Sequence, residues 1–140
     1  MSDDGDPSEP DLVALAHQMF DWARAGETER LVAYVDAGVP ANLTDASGNT
    51  LLMLAAYHGH AASVTALAGL GADVDRVNDR GQSPLAGAVF KDEQEVVAAL
   101  IAAGADPDAG SPTARETAVM FGRPELFDAP PISDTAKGTR

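Results

Sequence analysis

The sequence predicts an all-α solenoid of stacked helix–turn–helix units joined by β-hairpin-like loops, and three observations support this fold class. The stretch from Gly48 to Asp75 returns in altered form from Gly81 to Asp108, thirty-three residues later. A period of that length is typical of stacked two-helix units. Within each copy the apolar residues recur at helical spacing, and single glycines follow the predicted helices. Each unit is therefore expected to bury its apolar face against its neighbours in the row.

The chain has 140 residues, enough for about three full units and a truncated C-terminal cap. Both ends are rich in small, polar and proline residues. We predict a disordered acidic tail over residues 1–10 and a flexible tail over residues 128–140. The repeat domain between them, residues 11–127, is predicted to contain an N-terminal capping unit (11–44), two full units (45–77 and 78–108) and a partial C-terminal capping unit (109–127).

The first unit is predicted to begin with a helix whose N-cap is Asp11 and whose stop signal is Gly26. Apolar residues recur at helical spacing between these two positions. A second helix is predicted from about Glu27 to Asp36, where a glycine soon ends it. Residues 42–49 then contain the Asn, Asp, Ser and Gly that are typical of a turn.

In the second unit, Thr50 is the predicted N-cap of an inner helix from Leu51 to Tyr57. His60 is expected to open the outer helix, and Gly71 to close it by adopting a left-handed conformation. The apolar residues of this outer helix form one stripe, which is expected to face the inner helices.

The third unit repeats this arrangement. Ser83 is the predicted N-cap of its inner helix, and Pro84 occupies the first helical position, where a missing N–H costs nothing. We place Asp92 and Glu93 at the start of the outer helix, where carboxylates complement the helix dipole. Gly104 is expected to close that helix.

The fourth unit is incomplete. Aligning Thr113 with Thr50 and Gly122 with Gly59 predicts an inner helix and shortens the preceding connection by three residues. The segment that follows, PELF, is long enough for only a very short second helix. This unit is therefore expected to end the stack.

The composition excludes several classes of protein. There is no cysteine, so disulfides, Cys-ligated metals and cysteine nucleophiles are absent. The net charge is −13, which disfavours nucleic acid and anionic membranes and favours a protein partner with a basic or amphipathic surface. No apolar run approaches the roughly 18 residues of a membrane span, and the acidic start differs from a secretory leader. We therefore expect a cytoplasmic protein, and a monomer.

The segments TLLMLAAYHGH…GADVD and SPLAGAVF…GADPD resemble the ankyrin repeat, with its paired Ala, its Gly-His turn and its closing Gly-Ala-Asp. The resemblance covers about residues 12–127. It departs from the family at the Thr-Pro-Leu-His helix opening, where Leu51 replaces the proline and Met53 and Ala86 replace the histidine. The resemblance implies a non-catalytic module that binds a protein partner through the concave face and hairpin tips. The alternative is a regulatory subunit or inhibitor that occludes a basic partner surface, partly through its negative charge.

If the units stack, residues one repeat apart form columns. One column contains Tyr57, Phe90 and Met120, and the resemblance places it on the concave side that ankyrin proteins use for partners. Aromatic and Met side chains are enriched at protein interfaces. The alternative is that these three side chains pack on one another and support the stack. The predicted protein-binding surface also includes the neighbouring column and the hairpin tips: Ala46, Ser47, Asn49, His58, Asp79, Arg80, Gln82, Lys91 and Phe121.

Other candidate sites are assigned to structure. His58 and His60 flank a turn, and neither a cysteine nor another histidine of the same unit is available as a further metal ligand. Neither a nucleophile elbow nor a Gly-rich phosphate loop is present. We therefore expect no enzyme, no cofactor and no metal. Two aspartate pairs also lack the spaced oxygens and terminal Glu of a calcium loop: Asp73 with Asp75, and Asp106 with Asp108.

Overall fold

The computed structural model of the protein describes residues 8–128, and within that range the backbone is all-α. Within residues 8–128, eight helices follow one another with no β-strand between them. The loop before the second unit closes with an isolated bridge between Thr44 and Thr50. None of the helices in the described part of the chain is long and apolar enough to cross a membrane. They are α1 (Ser8–Ala25), α2 (Thr28–Asp36), α3 (Leu51–Tyr57), α4 (Ala61–Gly69), α5 (Pro84–Phe90), α6 (Gln94–Ala102), α7 (Ala114–Met120) and α8 (Glu125–Asp128).

The helices form a row of four pairs, which confirms the predicted solenoid. The inner helices α1, α3, α5 and α7 contact one another in that order, and the outer helices α2, α4 and α6 do the same. Each inner helix also contacts the outer helix that follows it. Every extensive contact between the described helices thus lies within one unit or between neighbouring units, as expected of a one-dimensional array.

Several positions that recur every thirty-three residues lie in the buried core. Leu67 and Leu100, at equivalent places in α4 and α6, are fully buried. Ala55 and Ala88 are also fully buried, and their small side chains let neighbouring inner helices approach to about 8–10 Å. Because burying one leucine side chain contributes roughly 2 kcal/mol, these columns stabilise each layer against the next.

Three inner helices begin at the predicted N-caps. Thr50 and Ser83 each accept a hydrogen bond of 3.0 Å from the backbone N–H three residues later. Thr113 and Glu116 form a reciprocal capping box, with both hydrogen bonds at 2.9 Å. Such caps satisfy backbone donors that have no partner within the helix, and each contributes about 1 kcal/mol.

Helix α1 begins earlier than predicted. The sequence placed its N-cap at Asp11, whereas the helix starts at Ser8 and includes the end of the stretch predicted as disordered. Pro10 is compatible with this start because it lies in the first turn, where backbone N–H groups have no acceptor within the helix. The rest of the predicted tails, residues 1–7 and 129–140, lies outside the described residues.

The predicted position of Asp92 was wrong. Helix α6 begins at Gln94, and Asp92 lies in the turn before it with a φ of 57°. Asp92 thus occupies the left-handed position that Gly59 holds one repeat earlier. Aspartate tolerates this conformation better than most residues, and its carboxylate forms an ion pair with Arg123 of the next unit.

Candidate functional site

A groove runs along the side of the stack where the inner helices end beside the hairpin tips. It consists of two adjoining cavities of about 290 and 390 Å³. The smaller cavity lies between α1, α3 and the first two tips, and the larger one between α3, α5, α7 and the later tips. Tyr57, Arg80 and Gln82 line both cavities, so the two are continuous. We call the surface lined by the residues of these two cavities the inner groove.

Most of the predicted binding residues lie in or beside the inner groove. Outside its lining, Ala46 lines a separate cavity against α1. The Phe121 ring meets the Phe90 ring edge-on, with 5.6 Å between the centroids, and Lys91 lies over the Tyr57 ring. Eight of the twelve predicted residues line the groove itself: Ser47, Asn49, Tyr57, His58, Arg80, Gln82, Phe90 and Met120.

The column of Tyr57, Phe90 and Met120 is largely accessible. Phe90 is 52% exposed and Met120 is 66% exposed, while Tyr57 is half-buried. A side chain that keeps half of its surface in water contributes little to holding layers together, and this exposure weighs against a purely supporting role. Val119 and Phe121 are also exposed, so an apolar patch forms where α7 meets the end of the groove.

A cation lies on the aromatic column. The Nζ atom of Lys91 is 4.5 Å from the centroid of the Tyr57 ring, which is a cation–π distance. The His58 ring meets the Tyr57 ring edge-on, with 5.8 Å between centroids. The pKa of the His58 imidazole is lowered, first by burial and then by nearby positive charge, of which Lys91 is the largest source, while Glu93 opposes the shift. More positive than negative charge therefore acts on the His58 ring, although the protein as a whole is acidic.

The hairpin tips are fixed by side chains that bind their own backbone. In the first tip, one carboxylate oxygen of Asp45 accepts the backbone N–H groups two and four residues later, both at 2.9 Å. In the second tip, the Oδ1 atom of Asn78 does the same at 2.9 and 3.1 Å. Each of these tips is also closed by a backbone hydrogen bond of 3.0 Å across its base. The predicted binding residues on the tips therefore start from a fixed backbone.

Successive tips also bind one another. Asp79 donates its backbone N–H to the Ser47 carbonyl oxygen at 3.0 Å. The Nδ2 atom of Asn78 donates to the Oδ1 atom of Asn49 at 2.9 Å. The third tip continues this pattern, since Ser111 donates its N–H to a carbonyl of the second tip at 2.8 Å. These bonds hold the tips one repeat apart along one edge of the groove.

Nine lining residues of the groove lie outside the predicted set, and three of them belong to the fourth unit. Ser111, Pro112 and Thr117 line the larger cavity. A signal for Pro112 was available, because it precedes the N-cap Thr113 as Gln82 precedes the N-cap of the third unit. The connection before the fourth unit is three residues shorter, which obscured the equivalence of its tip with the two earlier ones.

His60, which was weighed as a metal ligand, makes a contact between units. Its Nε2 atom lies 2.7 Å from the backbone carbonyl oxygen of Arg24, and its ring lies over Gly26, where a Cβ atom would meet it at 2.6 Å. Glu93 lies over Gly59 in the same way one repeat later. Both side chains thus join the start of an outer helix to the turn of the preceding unit, which is a structural role.

The aspartates that were weighed as calcium ligands also link units. The Oδ1 atom of Asp75 accepts the backbone N–H of Asp106 at 2.8 Å, and the Asn42 side chain makes the equivalent bond a repeat earlier at the same distance. At the last position of this column, Asp108 instead binds Arg115 at 2.9 Å, and that hydrogen bond lowers the pKa of the Asp108 carboxyl. These side chains therefore stabilise the junctions between successive units.

Comparison with known proteins agrees with this architecture. A family model described as ankyrin repeats, in three copies, matches residues 19–111. The chain is 50% identical over 50 residues to a Pseudomonas aeruginosa protein named as an ankyrin repeat protein, covering 36% of this chain and 29% of that one. It is 28% identical over 93 residues to an inactive serine/threonine-protein kinase of Mus musculus, covering 66% of this chain and 6% of that one. The chain thus spans less than a third of the length of either relative. Because the family model matches well over half of the sequence, the chain belongs to the ankyrin repeat family.

Proposed function

We propose that this protein is a non-catalytic interaction module whose inner groove and hairpin tips bind a segment of a protein partner. Ankyrin repeats generally act as protein–protein interaction modules, and the family is typically non-catalytic. The observation that carries the proposal is the exposed apolar surface along the groove, where Phe90, Met120 and Phe121 are each at least 49% exposed. Contiguous apolar surface of this kind commonly marks an interaction site.

The proposed site combines apolar anchors with polar edges. Tyr57, Phe90 and Met120 offer the aromatic and thioether surface that is enriched at protein interfaces. Ser47 and Gln82 offer hydrogen-bonding groups from tips whose backbone is already fixed. Because few groups of the site have to be ordered when a partner binds, the entropic cost of association is reduced.

Removal of two anchors tests this proposal. We expect Tyr57→Ala combined with Phe90→Ala to abolish the recovery of partners in affinity purification from native cells. The unfolding temperature should fall by only a few degrees, because neither side chain is fully buried.

The matched control removes two exposed apolar side chains that lie away from the groove. Val77 is 40% exposed and Ile101 is 47% exposed, and Val77→Ala combined with Ile101→Ala should leave the recovered partners unchanged. If both double variants lose their partners equally, the groove is not the binding site. A strongly destabilised groove variant that still recovers every partner would also contradict the proposal.

A second candidate function is that of a regulatory subunit or inhibitor which occludes a basic partner surface. The net charge of −13 favours it, as do the exposed carboxylates Glu29, Asp36 and Glu95 on the outer helices. Charges at a solvated surface are screened over about 8 Å at physiological ionic strength. This candidate therefore predicts an affinity that falls steeply with added salt and that survives loss of Tyr57 and Phe90.

We further propose that the protein acts as a monomer in the cytoplasm. The acidic surface makes copies of the chain repel one another. Sedimentation equilibrium should give a mass near 14.4 kDa at every concentration tested. A mass that rises with concentration would contradict the monomer, and recovery of the native protein in a membrane or secreted fraction would contradict the cytoplasmic location.

A further inference from the structure

The charges that line the inner groove oppose the charge of the whole chain. The chain has 22 acidic and nine basic residues, yet the charged side chains lining the groove are Arg24, Arg80 and Asp45. Asp45 is already engaged, because its carboxylate accepts hydrogen bonds from Ser47 and Asn49 and lies 3.8 Å from Arg24. The groove therefore offers a bound segment more positive than negative charge.

Two cations beside Tyr57 have no carboxylate partner in the described part of the chain. Arg80 is exposed where the two cavities join, and its side chain makes no hydrogen bond or ion pair with residues 12–127. Lys91 contacts the Tyr57 ring but no carboxylate within the same range. Arg123, by contrast, is paired with Asp92. The two cations beside Tyr57 are thus available to a partner.

The electrostatics at His58 agree with this assignment. After burial, the positive charges of Lys91 and Arg24 are among the causes that lower the pKa of the His58 imidazole. The Debye length of about 8 Å at physiological ionic strength limits how far the carboxylates of the outer helices act. Among the charges that act on the His58 ring, the positive ones thus prevail over that of Glu93.

We propose that the inner groove selects a partner segment that carries a carboxylate next to an aromatic or aliphatic side chain. The carboxylate pairs with Arg80, whose guanidinium presents parallel N–H donors that fit a carboxylate. The neighbouring apolar side chain contacts Tyr57 and Phe90. This inference rests on the proposed function, and it gives the groove a preference opposite to the basic partner that the net charge alone predicts.

Peptide selection tests the inference separately from the proposed function. Random peptides of roughly 12 residues, displayed on phage, are selected for binding to the full-length chain. Peptides that also bind the variant with Tyr57→Ala and Phe90→Ala are removed. We expect the surviving peptides to be enriched in Asp or Glu within about two positions of an aromatic or aliphatic residue. Enrichment in Lys or Arg overturns only the carboxylate preference. Failure to enrich any peptide overturns the proposed function itself.

A matched pair of charge reversals then locates the contact. Arg76 is also exposed and without a partner among residues 12–127, but it lines neither cavity of the groove. For a selected peptide, we expect Arg80→Glu to raise the dissociation constant by about tenfold or more, and Arg76→Glu by less than about twofold. Equal weakening by both substitutions overturns the inference, because the charge then acts only at long range.

Sedimentation and peptide titration of further variants test two other occupants of the groove. A concentration-dependent dimer that Arg80→Glu abolishes makes a second copy of the chain the occupant and overturns the proposal. The acidic start of the chain is the occupant if changing Asp3, Asp4 and Asp6 to Asn raises the peptide affinity about tenfold. That result also overturns the proposal. We expect neither result.

Discussion

The second and third units share several fully buried residues and differ at exposed positions along the groove. Leu67 and Leu100 occupy equivalent positions and are both fully buried. In the groove, by contrast, Tyr57 is replaced by Phe90 one repeat later. Beside it, Lys91 stands where the second unit has His58. The tight packing around these two leucines tolerates few changes of volume, whereas an exposed groove position has no such constraint. The shared buried leucines and the exposed residues of the groove can therefore be changed separately.

The largest expected effect comes from emptying a shared buried position. We expect Leu100→Ala to reduce the free energy of unfolding by about 2–5 kcal/mol, because it removes apolar contacts and leaves a cavity between two layers. Leu67→Ala should cost a similar amount. The neighbouring Ile101 is 47% exposed, and Ile101→Ala should cost less than about 1.5 kcal/mol. Urea denaturation measures all three, and equal losses at positions 100 and 101 would contradict the assignment of the core.

A smaller loss is expected where backbone conformation alone is changed. Gly104 has a φ of 90°, and a Cβ atom placed there meets no other atom within 4 Å. The cost of Gly104→Val therefore reports strain in the left-handed region, about 1–3 kcal/mol. The same substitution at Gly71, one repeat earlier with a φ of 95°, should cost about as much. An unchanged urea midpoint for either variant would show that the backbone can leave this conformation freely.

A gain of stability is expected at one glycine. Gly69 is the last residue of α4, where the third unit has Ala102, and a Cβ atom placed there meets open space. Gly69→Ala should therefore stabilise the protein by about 0.5–1 kcal/mol, since alanine has the higher helix propensity. The reverse change, Ala102→Gly, should cost a similar amount. The unfolding temperature measures both changes, and a shift in the same direction for both variants would contradict this comparison.

The smallest effect concerns the charge around His58. Its pKa is lowered from 6.5 by burial and then by Lys91, so Lys91→Met should raise the NMR titration midpoint of the imidazole. Because the unfolded chain takes up this proton at a higher pH than the folded chain, protonation favours unfolding. The contribution of His58 to stability is thus lost as the pH falls through the window below 6.5. If the titration midpoint of His58 is unchanged in the Lys91→Met variant, the charge of Lys91 does not act on this ring.

Local signals predicted most of the fold. Helices α3, α5 and α7 have the expected N-caps, Thr50, Ser83 and Thr113, because a cap needs only the few residues around it. The start of α1 was missed because residues 1–10 were predicted to be disordered from their composition, although the first turn of a helix accepts Pro10. Asp92 was misplaced because its charge suited a helix start, while the repeat alignment with Gly59 pointed to the turn.

The candidate site was less predictable because it depends on contacts between units. The repeat alignment identified Tyr57, Phe90 and Met120 as one column, and all three line the groove. The charge of the groove did not follow from composition, since it depends on which cations have partners. Arg80 lacks one among residues 12–127 and Arg123 has one, and only the three-dimensional arrangement of the units distinguishes them.

The central claim is that a linear stack of repeats presents its partner site on the inner groove. The most direct measurement follows the backbone amide resonances of the isotope-labelled full-length chain during titration with a selected peptide. We predict that the largest chemical-shift changes occur at Tyr57, Arg80, Phe90 and Met120, with little change along α4 and α6. Changes concentrated on those outer helices would contradict the claim.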